Sequence, residues 1–131
     1  IVECLDELSK GKLHTTPQAT EGITYAHRLH PSDEVIDWKR SAREILLQIR
    51  ALSPKPGASF RNSGDKWKVF SAEASSSCSG GAPGQVLDKD LTIACGHGTL
   101  QPQMIQRPGR KPLPAADVLR GAPVPVGTVL S

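Results

Sequence analysis

The chain has 131 residues, 37% of them hydrophobic and 22% charged, which suits one domain burying about two-thirds of its unfolded surface and excludes a disordered or collagen-like chain. Aromatics are only 4%, and twelve glycines and eleven prolines punctuate the chain too often for a helical bundle, so short strands around a Val, Leu, Ile and Ala core are expected. The net charge of +3 is unevenly spread: residues 1–50 carry seven basic and eight acidic side chains, residues 51–131 nine basic and five acidic, and a basic second half points to an anionic partner, nucleic acid first, against ordinary solvating charge.

In chain order, IVECLDELSKGK begins with Ile and reads as the tail of a helix, with Val2, Leu5 and Leu8 at i, i+3, i+6 and Gly11 where a stop belongs. This start suggests a piece of a longer protein. LHTTPQATEG reads as a linker, because Pro17 and Gly22 oppose a helix. Residues 1–22 are therefore expected to be an interdomain helix end and linker, and residues 23–131 the domain proper. ITYAHRLH is expected to be extended.

SAREILLQIRAL is the clearest element. Ser41 and Glu44 form a capping box, and Ala42, Ile45, Leu46 and Ile49 make one apolar stripe. Pro54 and Pro56 forbid continuation. Beyond them GASFRN and KWKVFSAEA flank a hairpin turn at SGD, and within KWKVFSAEA Lys66 and Lys68 alternate with Trp67 and Val69. SSSCSGGAP reads as a loop. GQVLDKD, LTIAC and GTLQPQMIQR are three further strand candidates, with turns at Asp88-Lys89-Asp90 and Gly96-His97-Gly98. PLPAADVLRG reads as a short helix with Asp117 early and Arg120 and Gly121 at its end. APVPVGTVLS is an extended tail. Five short strands between two helices suggest a mainly β fold, an oligonucleotide-binding-like five-stranded barrel with short flanking helices. A two-sheet sandwich of similar size is the alternative.

Familiar catalytic arrangements are missing. Cys4, Cys78 and Cys95 give no disulfide framework and no CxxC pair, and read as reduced thiols of a cytoplasmic protein. His14, His27, His30 and His97 lack zinc-site spacing, so no metal is expected. GHG is a turn between strands rather than a dinucleotide fingerprint. Cys95 reads as a small core residue, not as half of a Cys–His pair. No nucleophile elbow, phosphate loop, signal peptide or membrane-length apolar stretch occurs in the sequence. The basic residues offer more. Arg107, Arg110 and Lys111 lie within five residues, Lys66 and Lys68 share a strand face, and Lys55 and Arg61 precede them. These seven are the candidate RNA-phosphate contacts; a solvated charged face is the competing reading. Trp67 could stack a base, although a core role fits a chain so poor in aromatics better.

Taken in order, IDWKRSAREILLQIRALSPKPGASF, KWKVFSAEA, PGQVL, LTIACGHGTL and IQRPGRKPLPAADVLRG resemble the C-terminal domain of the methionyl-tRNA formyltransferases over residues about 23 to 130. One departure is that Ser53 and Lys55 stand where the family phrase NPWPGA has Asn and Trp. The resemblance implies a parent enzyme that transfers a formyl group from 10-formyltetrahydrofolate to initiator methionyl-tRNA. It implies that catalysis resides in an N-terminal domain whose Asn-His-Asp constellation and S-L-L-P phrase map onto no position here. No catalytic residue and no cofactor is therefore assigned to this chain. Its expected partners are the initiator tRNA and that catalytic domain, with no membrane and a monomeric state. The same module in a formyltransferase acting on a nucleotide sugar or on folate, or a purely structural scaffold, are the competing expectations.

Overall fold

A computed structural model describes residues 8–11, 16–25, 28–77 and 80–131. Of the expected first helix, residues 1–7 lie outside the described residues; Leu8 and Ser9 are helical and a turn follows at Lys10 and Gly11. The described parts of ITYAHRLH make no strand pairing. The chain then forms a single 3-10 turn, Pro31–Glu34, and enters helix α1, Ala42–Leu52.

Helix α1 begins where its capping box requires. The Glu44 backbone N–H donates to Ser41 Oγ at 3.3 Å, and the Glu44 carboxylate accepts from the Ser41 backbone N–H at 3.0 Å and from its hydroxyl at 2.7 Å. Ala42, Ile45, Ile49 and Leu52 are buried, so the 3.6-residue stripe faces the sheet. The chain leaves through Ser53–Pro54 and Lys55–Pro56, both cis.

The strands are β1 (Ala58–Asn62), β2 (Asp65–Ser75), β3 (Ile93–Ala94), β4 (Thr99–Gln106) and β5 (Leu113–Pro114). They form one antiparallel sheet in the order β1-β2-β4-β3, with β5 also on β4. Ser63 and Gly64, both at positive φ, make the two-residue β1–β2 turn. Loose segments carry the pairing further round. Val86 bridges Ile93, and Gln85 bridges Val129. Leu130 N–H donates to the Gly84 carbonyl at 2.9 Å, while Ser131 and Arg61 exchange both backbone hydrogen bonds. The sheet thus curls as an oligonucleotide-binding-like barrel, and the single sheet rules out the sandwich.

Two strand assignments change. GQVLDKD contributes only the bridges at Gln85 and Val86, because the Asp88 side chain accepts from the backbone N–H groups of Asp90 and Thr92 and turns the chain early. The fifth strand is instead Leu113–Pro114, read from sequence as the beginning of the last helix. That helix, α2, is Ala115–Gly121 and buries Ala115 and Val118.

The core joins α1 to the inner sheet face. Ile45, Ile49, Val69, Val86, Ile93, Leu100 and Ile105 are fully buried. Phe60 lies between two indoles, 5.9 Å from Trp38 and 6.0 Å from Trp67 by ring centroids. Replacing Ile49 by Ala should cost about 2–5 kcal/mol, read as a shift in urea-unfolding midpoint at unchanged m-value. Ser41→Ala should destabilise in a pH-dependent way. The Ser41 hydroxyl, by its hydrogen bond, holds the Glu44 carboxyl below its ordinary range. A lowered folded-state pKa gives stability that is present above the ordinary carboxylate range and lost as pH falls through the lowered value. The melting-temperature gap between wild type and Ser41→Ala should therefore be widest at neutral pH and narrow towards pH 3.

Candidate nucleic-acid interface

The seven candidate cations separate into groups with different freedom. In the β1–β2 pair Phe60 faces Trp67 in the core, and Arg61 faces Lys66. Strand alternation therefore puts Lys66 and Lys68 on the outer face. Neither is unengaged. Lys66 Nζ is 2.8 Å from Glu34 Oε2, and this hydrogen bond holds the Glu34 carboxyl below its usual range. Lys68 is half-buried and donates to the Pro56 carbonyl at 2.7 Å. It clamps the turn that carries the exposed Lys55. Arg61 spends one N–H on the Gly64 carbonyl at 3.2 Å.

Arg107, Arg110 and Lys111 form the second group. Lys68 pairs with Gln106 across β2 and β4, so the chain leaves β4 beside the start of β2, at the same end of the sheet as Arg61 and Lys66. The turn is closed by Arg110 N–H donating to the Arg107 carbonyl at 3.1 Å. The Gln106 side-chain amide also donates to the Arg110 carbonyl at 2.6 Å. Gln106 was missed by sequence reasoning, since nothing marks a strand-end glutamine as a turn brace. All three cations line one cleft of about 290 Å³, opposite Leu113, Asp117, Val118 and Gly121. The Arg107 guanidinium lies 5.5 Å from the Trp67 ring centroid. Its Nε is buried without a hydrogen-bond partner. Asp117, the one carboxylate lining the cleft, is bound to Arg120. Trp67 is 2% exposed and covered by Arg107, so it belongs to the core and cannot stack a base.

Comparison with known proteins gives this geometry its context. Residues 28–123 match the family model "Formyl transferase, C-terminal domain". The chain is 48% identical over 115 residues to a methionyl-tRNA formyltransferase of Paramagnetospirillum magneticum, covering 88% of this chain and 37% of that protein. It is 46% identical over 123 residues to the enzyme of the same name from Gluconacetobacter diazotrophicus, covering 94% and 40%. The chain therefore spans about two fifths of the length of these curated relatives. Among solved structures, HypX from Aquifex aeolicus in complex with tetrahydrofolic acid superimposes with a TM-score of 0.69 at 24% identity, covering 90% of this chain and 22% of that one. That likeness bears on the fold alone.

Cys95 is 6% exposed in the core, and burial pushes its thiol up to about 11. His97 is exposed in the turn between β3 and β4. Cys4, Cys78, His14 and His27 lie outside the described residues. Among the described residues no three His, Cys, Asp or Glu side chains are grouped to hold a metal ion, and no helix is long and apolar enough to cross a membrane. At pH 8 the native chain treated with iodoacetamide should stay unmodified at Cys95, by peptide mass spectrometry, and become modified there in denaturant. Rapid native labelling would contradict a buried, protonated thiol.

Proposed function

Because the chain belongs to the formyl transferase C-terminal domain family, we propose that it is the RNA-holding part of a methionyl-tRNA formyltransferase. The observation that carries this reading is the group of Arg107, Arg110 and Lys111 around one cleft, with the cleft's carboxylate already bound elsewhere. Cations without acid partners are the groups that gain most from phosphates, because no internal ion pair has to break first. Arg61, Lys66, Lys68 and Lys55 extend the positive surface along the same hairpin and the neighbouring turn. Lys66 and Lys68 contribute less because each is already engaged. Phosphate contacts fix position and orientation without reading sequence, so the domain holds initiator methionyl-tRNA and leaves discrimination to the catalytic part. Residues 1–22 serve as the helix end and linker towards that part, in a monomeric cytoplasmic enzyme.

The formyl donor of such an enzyme is 10-formyltetrahydrofolate. Three clefts beside helix α2 are open and lined by charged, polar and aliphatic side chains, without an aromatic-walled slot for a pterin, and so do not fit it. No step through the folate is derived for these residues. The sugar-nucleotide and folate alternatives find less support, since the relatives at 38–48% identity carry the methionyl-tRNA name. The scaffold reading is decided by RNA binding.

Binding to labelled initiator tRNA should weaken steeply as salt rises. Changing Arg107, Arg110 and Lys111 together to Ala should flatten the log–log salt slope by about one unit for each phosphate that is no longer neutralised. Lys66→Ala should flatten it less. Absence of tRNA binding even at low salt would sink the RNA-holding reading and leave the scaffold.

A further inference from the structure

We propose that the cleft between the Arg107–Lys111 turn and helix α2 is a seat for a phosphate monoester at the end of an RNA strand, its 5′-terminal phosphate, rather than one more stretch of backbone-tracking surface. This rests on the RNA-holding reading above.

Shape is the first argument. The cleft has two walls, the basic turn on one side and Leu113, Asp117 and Val118 on the other, and about 290 Å³ of space. That is room for roughly ten waters, more than a passing phosphodiester oxygen needs and enough for a terminal phosphate with its sugar. Leu113, 46% exposed, and Val118 supply an aliphatic wall for that sugar.

Charge is the second. A phosphodiester carries one negative charge, whereas a terminal monoester carries about 1.5 to 2 at neutral pH and has three acceptor oxygens. The cleft offers three cationic side chains, none in an ion pair among the described residues, because Arg120 holds Asp117. A site for single phosphodiester charges does not need three cations on one turn.

Preorganisation is the third. Arg107 is pinned over Trp67, with its Nε buried and unpartnered. Stacked on the ring, its guanidinium is oriented at the cleft before a phosphate arrives and loses little freedom on binding. The Gln106 amide holds the Arg110 carbonyl at 2.6 Å, so Arg110 and Lys111 project from a braced turn and lose less freedom on binding.

The test uses one RNA stem-loop, fluorescently labelled at its 3′ end and carrying either a 5′-monophosphate or a 5′-hydroxyl. Affinities for this chain are measured by anisotropy at low salt. At pH 7.5 the phosphorylated RNA should bind about tenfold tighter. The advantage should shrink at pH 5.5, where the monoester is mostly singly charged. It should disappear in Arg110→Ala/Lys111→Ala, two exposed positions whose change should leave the circular-dichroism spectrum unaltered. Equal binding of the two RNAs by the wild-type chain would overturn the terminal-phosphate site and leave the RNA-holding reading standing. A phosphate advantage that survives in the double variant would overturn the assignment to this cleft. Failure of both RNAs to bind would overturn both readings.

Discussion

The pairing of β2 with β4 is the constraint from which the rest of the molecule follows. Val69 and Ile105 are opposite one another and fully buried, and a slip of either strand by one residue would turn its buried side chains outward. With that register fixed, Lys68 meets Gln106 and the next residue, Arg107, arrives over the Trp67 ring. An irregularity near Ser71 and Met104 interrupts the ladder, and regular pairing resumes at Ala72 and Pro102. The irregularity shifts the alternation on both strands: Val69 is buried and Ser71 exposed while Ala72 packs on the core, and on β4 Pro102 and Ile105 are both buried although three positions apart. The basic turn is thus delivered to the barrel end by core packing, and its position owes nothing to attraction among its own cations.

The opposite end of the sheet is held by backbone contact. The Gly96 N–H lies between the carbonyls of Trp38 and Arg40, at 2.8 and 2.9 Å. A Cβ on Gly96 would stand 1.8 Å from the Lys39 carbonyl oxygen, and one on Gly98 would stand 2.3 Å from that of Ser75. Glycine at 96 lets the segment before α1 approach so closely, and glycine at 98 does the same for the end of β2. The contact seats the capped start of α1 against the β3–β4 turn, where the Ala42 N–H donates to the His97 carbonyl. GHG is therefore a docking turn, and its resemblance to a nucleotide fingerprint is superficial. With α1 anchored at one end, the tail residues Leu130 and Ser131 tie Gly84 to Arg61 across the barrel seam.

Elements governed by local rules were legible from sequence. The Ser41–Glu44 box, the α1 stripe, the β1–β2 hairpin and the burial of Cys95 all depend on residues a few positions apart or on simple periodicity. The fifth strand was not legible, because a two-residue strand exists only through its partner. Leu113 is a strand residue because Ile105 lies beside it, while the Gln85 segment gives up strand character to a turn braced by Asp88. The candidate site shows the same division. That Arg107, Arg110 and Lys111 sit together is written in five consecutive positions. That Lys66 is matched by Glu34, 32 residues earlier, and Lys68 by the Pro56 carbonyl follows from tertiary contacts that spacing does not encode.

Counting charges would rank the hairpin lysines and the Arg107–Lys111 turn alike; their surroundings rank them differently. A cation with an internal acceptor must surrender that bond before meeting a phosphate, so its net gain is small. A cation braced in place without an acid partner has no such bond to break and loses little freedom on binding. The sequence change at Lys55 fits the same logic. It adds an exposed charge where the family phrase has an aromatic, in a turn clamped by Lys68 and outside the cleft that gathers Arg107, Arg110 and Lys111. A lone exposed lysine adds to long-range attraction more than to a defined contact. On the proposed RNA-holding reading, the hairpin and the Lys55 turn would raise the local concentration of a polyanion, and the Arg107–Lys111 cleft would fix where it comes to rest.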